Sequence, residues 1–215
     1  MTEIKTNKFI ATVSDNRFFQ DLLSFLSVSS IISSASQYHL FGDAKEISVQ
    51  IPLFSMGGRI ILIPTATIEK VMFSNFMPDA LIFDVIDEPI KFVPDKDAMI
   101  VKANTEGSPM YSGLLNQLFM SLFAVSAERA IDWFRKTGNK QSEDWPEVLS
   151  FCRVVRNACV HGGMISIDNP NARPATWRGI TIGSQQNKKS LISNDLIGTG
   201  DFIPLLFDLN DELTS

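Results

Sequence analysis

The hydrophobic pattern of the chain changes period three times. In residues 16–36, Phe18, Leu22, Phe25, Leu26 and Ser29 fall near one stripe behind Asp15 or Asn16, either of which suits an N-cap; this predicts a helix. Gly42-Asp43 marks a turn. From Lys45 the period shortens to two. Ile47, Val49, Ile51 and Leu53 alternate with Ser48, Gln50 and Pro52, as a half-buried strand does. Gly57-Gly58 turns the chain. Arg59–Ile63, Ala80–Ile86, Pro89–Val93 and Ala98–Lys102 predict further strands between Asp, Glu and Pro breakers. Residues 45–104 thus form a β-rich section between helical parts.

The helical repeat returns at Ser108-Pro109, a good helix start with proline in the first position. Leu114, Leu115, Leu118, Phe119, Leu122, Phe123, Ala130, Ile131 and Phe134 recur at helical spacing, and Gly138 ends the element. After a polar loop at 139–144, Asp144 is the expected cap of a second helix, with Pro146 in its first turn and Glu147 three residues after the cap. Its core stripe is Val148, Cys152, Val155 and Cys159, and Gly162-Gly163 stop it. Two long helices on a short loop predict an antiparallel hairpin over 108–162. Beyond it, Ile165–Asp168 and Trp177–Ile182 predict short strands, Ser184–Lys189 a turn, and Phe202–Leu213 a short terminal helix.

Composition changes this picture little. The 215 residues, 45% hydrophobic and 20% charged, suit one domain with a large section inserted at 45–104. Residues 1–9 are polar and lack a signal-peptide core. Residues 18–32 are too interrupted by Gln20, Asp21 and serines to span a membrane. The expectation is a soluble cytoplasmic protein with no membrane partner. Cys152 and Cys159 lie roughly 10 Å apart along one helix face, too far for a disulfide, and read as buried apolar residues.

Charge changes it more. The net charge is −5, which by itself disfavours nucleic acid. Residues 129–189, however, hold ten Lys/Arg against five Asp/Glu, while 190–215 hold no cation against five acids. The positive charge concentrates around the second hairpin helix. Such an asymmetry suits a polyanion site on an acidic protein, and equally suits scattered surface charge.

That helix carries the chemically loaded segment, Arg156-Asn157-Ala158-Cys159-Val160-His161. Asn157 and His161 are four apart and share a face. Measured from Cys159, His161 lies about 200° round the helix, Asn157 about 160° and Arg156 about 60°. Asn157 and His161 therefore point away from the local core, and Arg156 sits at its flank, with Arg153 one turn earlier. One reading is a solvated helix end whose histidine meets the helix dipole. The other is an anion site, in which a guanidinium forks onto phosphate and an imidazole exchanges a proton near neutral pH.

Arg156, Asn157 and His161 as R-N-x-x-x-H, ending a helix before Gly162-Gly163 and preceded by a long amphipathic helix, resemble the signature of the HEPN superfamily. The likeness covers residues 108–163 well and 164–215 loosely; 45–104 has no counterpart. The resemblance implies an α+β protein with a helical HEPN-like core: the 108–162 hairpin plus the N-terminal helix, a β-rich insertion and a short β-containing C-terminal extension. It implies a metal-independent RNA endonuclease of toxin or phage-defence type, working as a homodimer, with a possible antitoxin partner. Two copies of the motif form one composite site. His161 is then the general acid or base, Arg156 stabilises charge on the phosphoryl group, and Asn157 positions them. Arg153 and Glu128 are candidate substrate-binding neighbours. Glu128 either pairs with Arg153 or Arg156 or stays exposed and unpaired. Many members of the superfamily are non-catalytic, so a nucleic-acid- or protein-binding module is the alternative.

Other chemistries lack support. With two histidines, His39 and His161, and no Cys/His cluster, no metal site and no cofactor are expected. No P-loop, no G-x-G-x-x-G after a strand and no G-x-S-x-G elbow is present.

Overall fold

The computed structural model describes residues 7–12, 14–25, 49–53, 59–63, 80–86, 109–138, 144–193 and 196–214. Four strands, β1 (Asn7–Thr12), β2 (Val49–Leu53), β3 (Arg59–Ile63) and β4 (Ala80–Ile86), form an antiparallel sheet in the order β1-β4-β3-β2. Runs such as Ile60-Ile61-Leu62-Ile63 and Leu81-Ile82-Phe83 are β-branched or aromatic and suit a pleated surface. Pro52 of β2 opposes Ile60, and among the described residues β2 pairs with β3 alone. At such an edge the missing N–H removes no ladder bond to a second neighbour. β3 and β4 coincide with the expected strands. Pro89–Val93, Ala98–Lys102 and the 26–36 part of the first helix lie outside the described residues.

The sheet also takes in a strand that the pattern did not predict. Residues 45–104 do not make it alone: β1, from the N-terminus, pairs with β4 over six positions from Asn7↔Val85 to Thr12↔Ala80. Six residues of mixed polarity give too weak a periodic signal to reveal the strand, and pairing with the apolar β4 supplies what local propensity does not.

Four helices lie among the described residues. Residues 19–25 are helical (α1), entered through Asn16, whose Oδ1 accepts from the Phe18 N–H at 2.8 Å. Asn16, not Asp15, is the cap. Next come α2 (Pro109–Gly138), α3 (Glu147–Val160) and α4 (Phe202–Thr214). The bounds of α2 match the expected Pro109 start and Gly138 end. Asp144 does not cap α3. That helix begins after Pro146, which is extended at φ −52° and ψ 151° and makes no side-chain cap bond. Burial of Trp145 sets the entry instead and leaves Asp144 exposed. α2 and α3 run antiparallel: Glu128 meets Arg156, while Met120, earlier on α2, meets Gly163, later than α3.

The C-terminal region departs further from its pattern. Ile165–Asp168 is not a strand; only Met164 bridges, to Ser190. Trp177–Ile182 is not one strand but a hairpin of β5 (Ala175–Trp177) and β6 (Ile180–Ile182). Its two-residue turn has Arg178 at φ 45° and Gly179 at φ 82°, the positive pair a tight hairpin needs. Terminal helix α4 is the centre of the core rather than an appendage. Phe202, Ile203, Leu205, Leu206, Leu209 and Leu213 are buried, an almost all-round apolar surface.

Rings join these layers. Phe25 meets Phe119 at 4.7 Å, Phe123 stacks on Phe202 at 4.9 Å, and Phe151 lies 5.5 Å from Trp177. α1, α2 and α4 thus share one core with α3 and the hairpin. The chain is α+β.

Candidate functional site

The end of α3 is built by its glycines. His161 is the last half-helical residue, its N–H donating to the carbonyls of Asn157 and Ala158. Gly162 and Gly163 follow at φ 70° and 81°, and the Gly163 N–H donates to the Ala158 carbonyl at 2.8 Å. This is a Schellman stop, in which left-handed residues turn orphan carbonyls inward. Gly163 has a second reason to lack a side chain: a Cβ there would lie 3.1 Å from the Met120 sulfur. The stop leaves His161 exposed on the last turn.

His161 is exposed, as helix geometry places it, but Asn157, expected to point away from the core, is not. Arg156 and Asn157 are half-buried, and Arg153 is exposed. Arg156 Nη1 donates to Asn157 Oδ1 at 3.1 Å. Its Nε lies 2.7 Å from Glu128 Oε2, although the N–H is not aligned to donate, so the contact is an ion pair without a fork. Of the two partners open to Glu128 in the sequence, Arg156 is the one it meets. Among the described residues the contacts of Arg156 use Nε and Nη1, and its side chain is 30% exposed. Asn157 therefore connects the arginine on one side to the helix turn that carries His161 on the other.

Arg153 is held differently. Its guanidinium lies over the Trp145 ring, 5.8 Å from the centre, and Arg135 lies over the same ring at 5.6 Å. Trp145 is buried and edge-on to Phe134, so it serves as a fixed platform for both cations. Sequence reading missed this pair. Arg135 and Arg153 are on different helices, and the ring that joins them stands in the loop between.

The residues after the stop bring a second surprise. Ile165 N–H donates to the Lys189 carbonyl at 3.0 Å, Lys188 N–H to the Ile165 carbonyl at 2.8 Å, and Leu191 N–H to the Gly163 carbonyl at 2.8 Å. Exposed Lys188 and Lys189 are thereby tied beside the segment that leaves His161.

Neither cysteine joins the site. Burial pushes the Cys159 thiol up to about 12 and Cys152, fully buried and beside Cys159, higher still. Both folded values exceed the free-thiol value. Stability linked to these thiols is therefore complete below the free-thiol range and is lost as pH rises from there through about 12. At pH 8 the folded protein should resist alkylation, and in denaturant two thiols should react. Between pH 8 and 11 the wild type should lose more urea resistance than Cys152→Ala/Cys159→Ala. Rapid alkylation of the native protein would contradict this burial.

Among the described residues no three His, Cys, Asp or Glu side chains gather as metal ligands do, and no helix is long and apolar enough to cross a membrane. Comparison with known protein families, curated proteins and solved structures found no match.

Proposed function

We propose that this protein is a HEPN-type RNA endonuclease that needs no metal, with Arg156, Asn157 and His161 as its catalytic group. The observation that carries the reading is the arrangement at the end of α3. A guanidinium held by Glu128 and Asn157 is partly exposed, and an exposed imidazole follows one turn beyond Asn157. Arginine supplies charge to a phosphoryl oxygen as negative charge develops there. Histidine takes the proton of the ribose 2′-hydroxyl or protonates the leaving 5′-oxygen. The 2′-oxygen attacks phosphorus, the P–O5′ bond breaks, and the products are a 2′,3′-cyclic phosphate and a free 5′-hydroxyl.

One His161 cannot serve both ends of this displacement at once. A second copy provides the other, which makes the active species a homodimer with two motifs facing one phosphodiester. Exposed apolar residues support such an interface: Val160 (49% exposed) precedes His161, Met164 (44%) follows it closely, and Val125 (60%) stands on the partner helix of the hairpin. A toxin or phage-defence role, held in check by an antitoxin, fits this activity.

Labelled RNA incubated with the purified protein in excess EDTA provides the test. Cleavage leaving 2′,3′-cyclic phosphate ends is expected; intact RNA at every enzyme concentration sinks the proposal. One observation favours a second reading, a non-catalytic module: Glu128 already neutralises part of the Arg156 charge. RNA binding with no turnover in the same assay identifies it.

A further inference from the structure

Three exposed cations stand on the motif's helix or on the segment tied just beyond its end, without being part of the motif. Arg153 stands on the Arg156–Asn157 face of α3, one turn toward the N-terminus. Lys188 and Lys189 stand at the opposite end, tied by backbone bonds to Ile165 beyond the glycine stop. From Arg153 to His161 the helix rises roughly 12 Å, enough for several nucleotides of one strand to lie along it. Among the described residues none of the three cations meets a carboxylate, whereas Arg129, Arg156 and Arg178 each do. Arg153 is instead held over the Trp145 ring, which orders the side chain without using its charge.

Lys188 stands in the tight turn that the Lys189 N–H closes on the Gln186 carbonyl at 3.0 Å. Its φ is 63°, in the left-handed region where L side chains are rare and glycine or asparagine is favoured. Asn187 before it, at φ −55° and ψ 134°, makes this a type II turn, whose third position takes a positive φ. The Lys188 N–H donates to the Ile165 carbonyl at 2.8 Å, so the backbone itself holds the exposed lysine there.

We propose that Arg153 on one side and Lys188-Lys189 on the other form a phosphate rail, which lays one RNA strand along α3 and centres a single phosphodiester on Arg156 and His161. The proposal rests on the nuclease reading but concerns residues outside its chemistry. The rail contacts backbone phosphates, not bases, so it sets the path of the strand and leaves sequence preference to other contacts. The Arg135–Asp132 contact at 3.5 Å makes Arg135 a weaker participant.

The test uses the full chain and a single-stranded oligoribonucleotide methylated at every 2′-oxygen, which binds but is not cleaved. Affinity is measured across a salt series. Each single-strand phosphate contact contributes about 0.7 to the slope of log affinity against log salt. Lys188→Gly/Lys189→Ala should lower the slope by about 1.4, and Arg153→Ala by about 0.7. The melting temperature of Lys188→Gly alone should not fall, because glycine is unstrained at that φ. If wild type binds with a steep slope and the variants keep it, the rail is wrong and the nuclease reading stands. If wild type shows no salt-dependent binding, the nuclease reading itself fails and takes the rail with it.

Discussion

His161→Ala should reduce RNA cleavage by between about a hundredfold and ten-thousandfold, the usual contribution of a positioned acid or base, while leaving the fold intact. The imidazole is exposed, and no hydrogen bond of its side chain holds another described residue. Its structural work at the helix end is done by its backbone N–H, which alanine retains. At φ −99° and ψ 32° alanine is unstrained. The change in unfolding free energy should therefore stay within about 0.5 kcal/mol. Single-turnover cleavage and a urea titration of both proteins decide the matter. Loss of cleavage at equal stability assigns the proton transfer to His161. Equal cleavage by both proteins removes the mechanism, and a parallel loss of stability moves the residue into a structural role. In the binding-module reading the same substitution changes affinity alone, so the measurement separates the two.

The largest stability effect away from the core should come from Asp208→Ala. Asp208 on α4 accepts from Arg178 Nε at 2.7 Å, from Arg178 Nη2 at 2.8 Å and from the Trp177 indole N–H at 2.7 Å. These three charge-assisted bonds fasten the β5–β6 hairpin to the central helix. They also hold Arg178 in its left-handed turn position, where a non-glycine residue costs about 1 kcal/mol. The Arg178 pKa is held above its ordinary value, chiefly through its hydrogen bonds to Asp208. It also lies over Phe9 of β1 at 5.8 Å, and Phe9 packs on Phe207 at 5.2 Å. One carboxylate therefore links the hairpin, α4 and the edge of the sheet.

Removing it leaves an unpaired guanidinium and indole. Fully buried pairs broken on one side lose about 3–5 kcal/mol. Here both side chains are between a quarter and a third exposed, so water recovers part of that. A loss of about 2–3 kcal/mol is expected, or roughly 5–10 °C in Tm for a chain of this size. Asp211→Ala, on the same helix but exposed, should change Tm by little and serves as the control. Equal melting of wild type and Asp208→Ala would show that the three bonds contribute nothing net.

Where local signals were strong, they located elements closely. The Ser108-Pro109 start, the Gly138 end and the Gly162-Gly163 stop depend on proline and glycine backbone preferences that act within a few residues. β3 and β4 are apolar runs bounded by breakers, which stand out without knowledge of their neighbours. The exposure of His161 followed from helical angles alone, whereas Asn157 is half-buried. Asp144 shows the limit: its capping pattern is correct as a string, but burial of Trp145 and the extended Pro146 outweigh one cap bond.

Long-range features escaped for a common reason: their energy comes from residues distant in the chain. β1 exists because β4 offers it a ladder some seventy positions away. Trp177–Ile182 folds back on itself because Asp208 stabilises a turn that arginine alone disfavours. The two cations over Trp145, and Lys188-Lys189 beside the stop after His161, were set by packing and backbone pairing between segments. A linear string could name the arginine, asparagine and histidine, because one helix carries all three. The charges standing around them were placed by the folded chain, since no single segment holds enough of them to show a pattern.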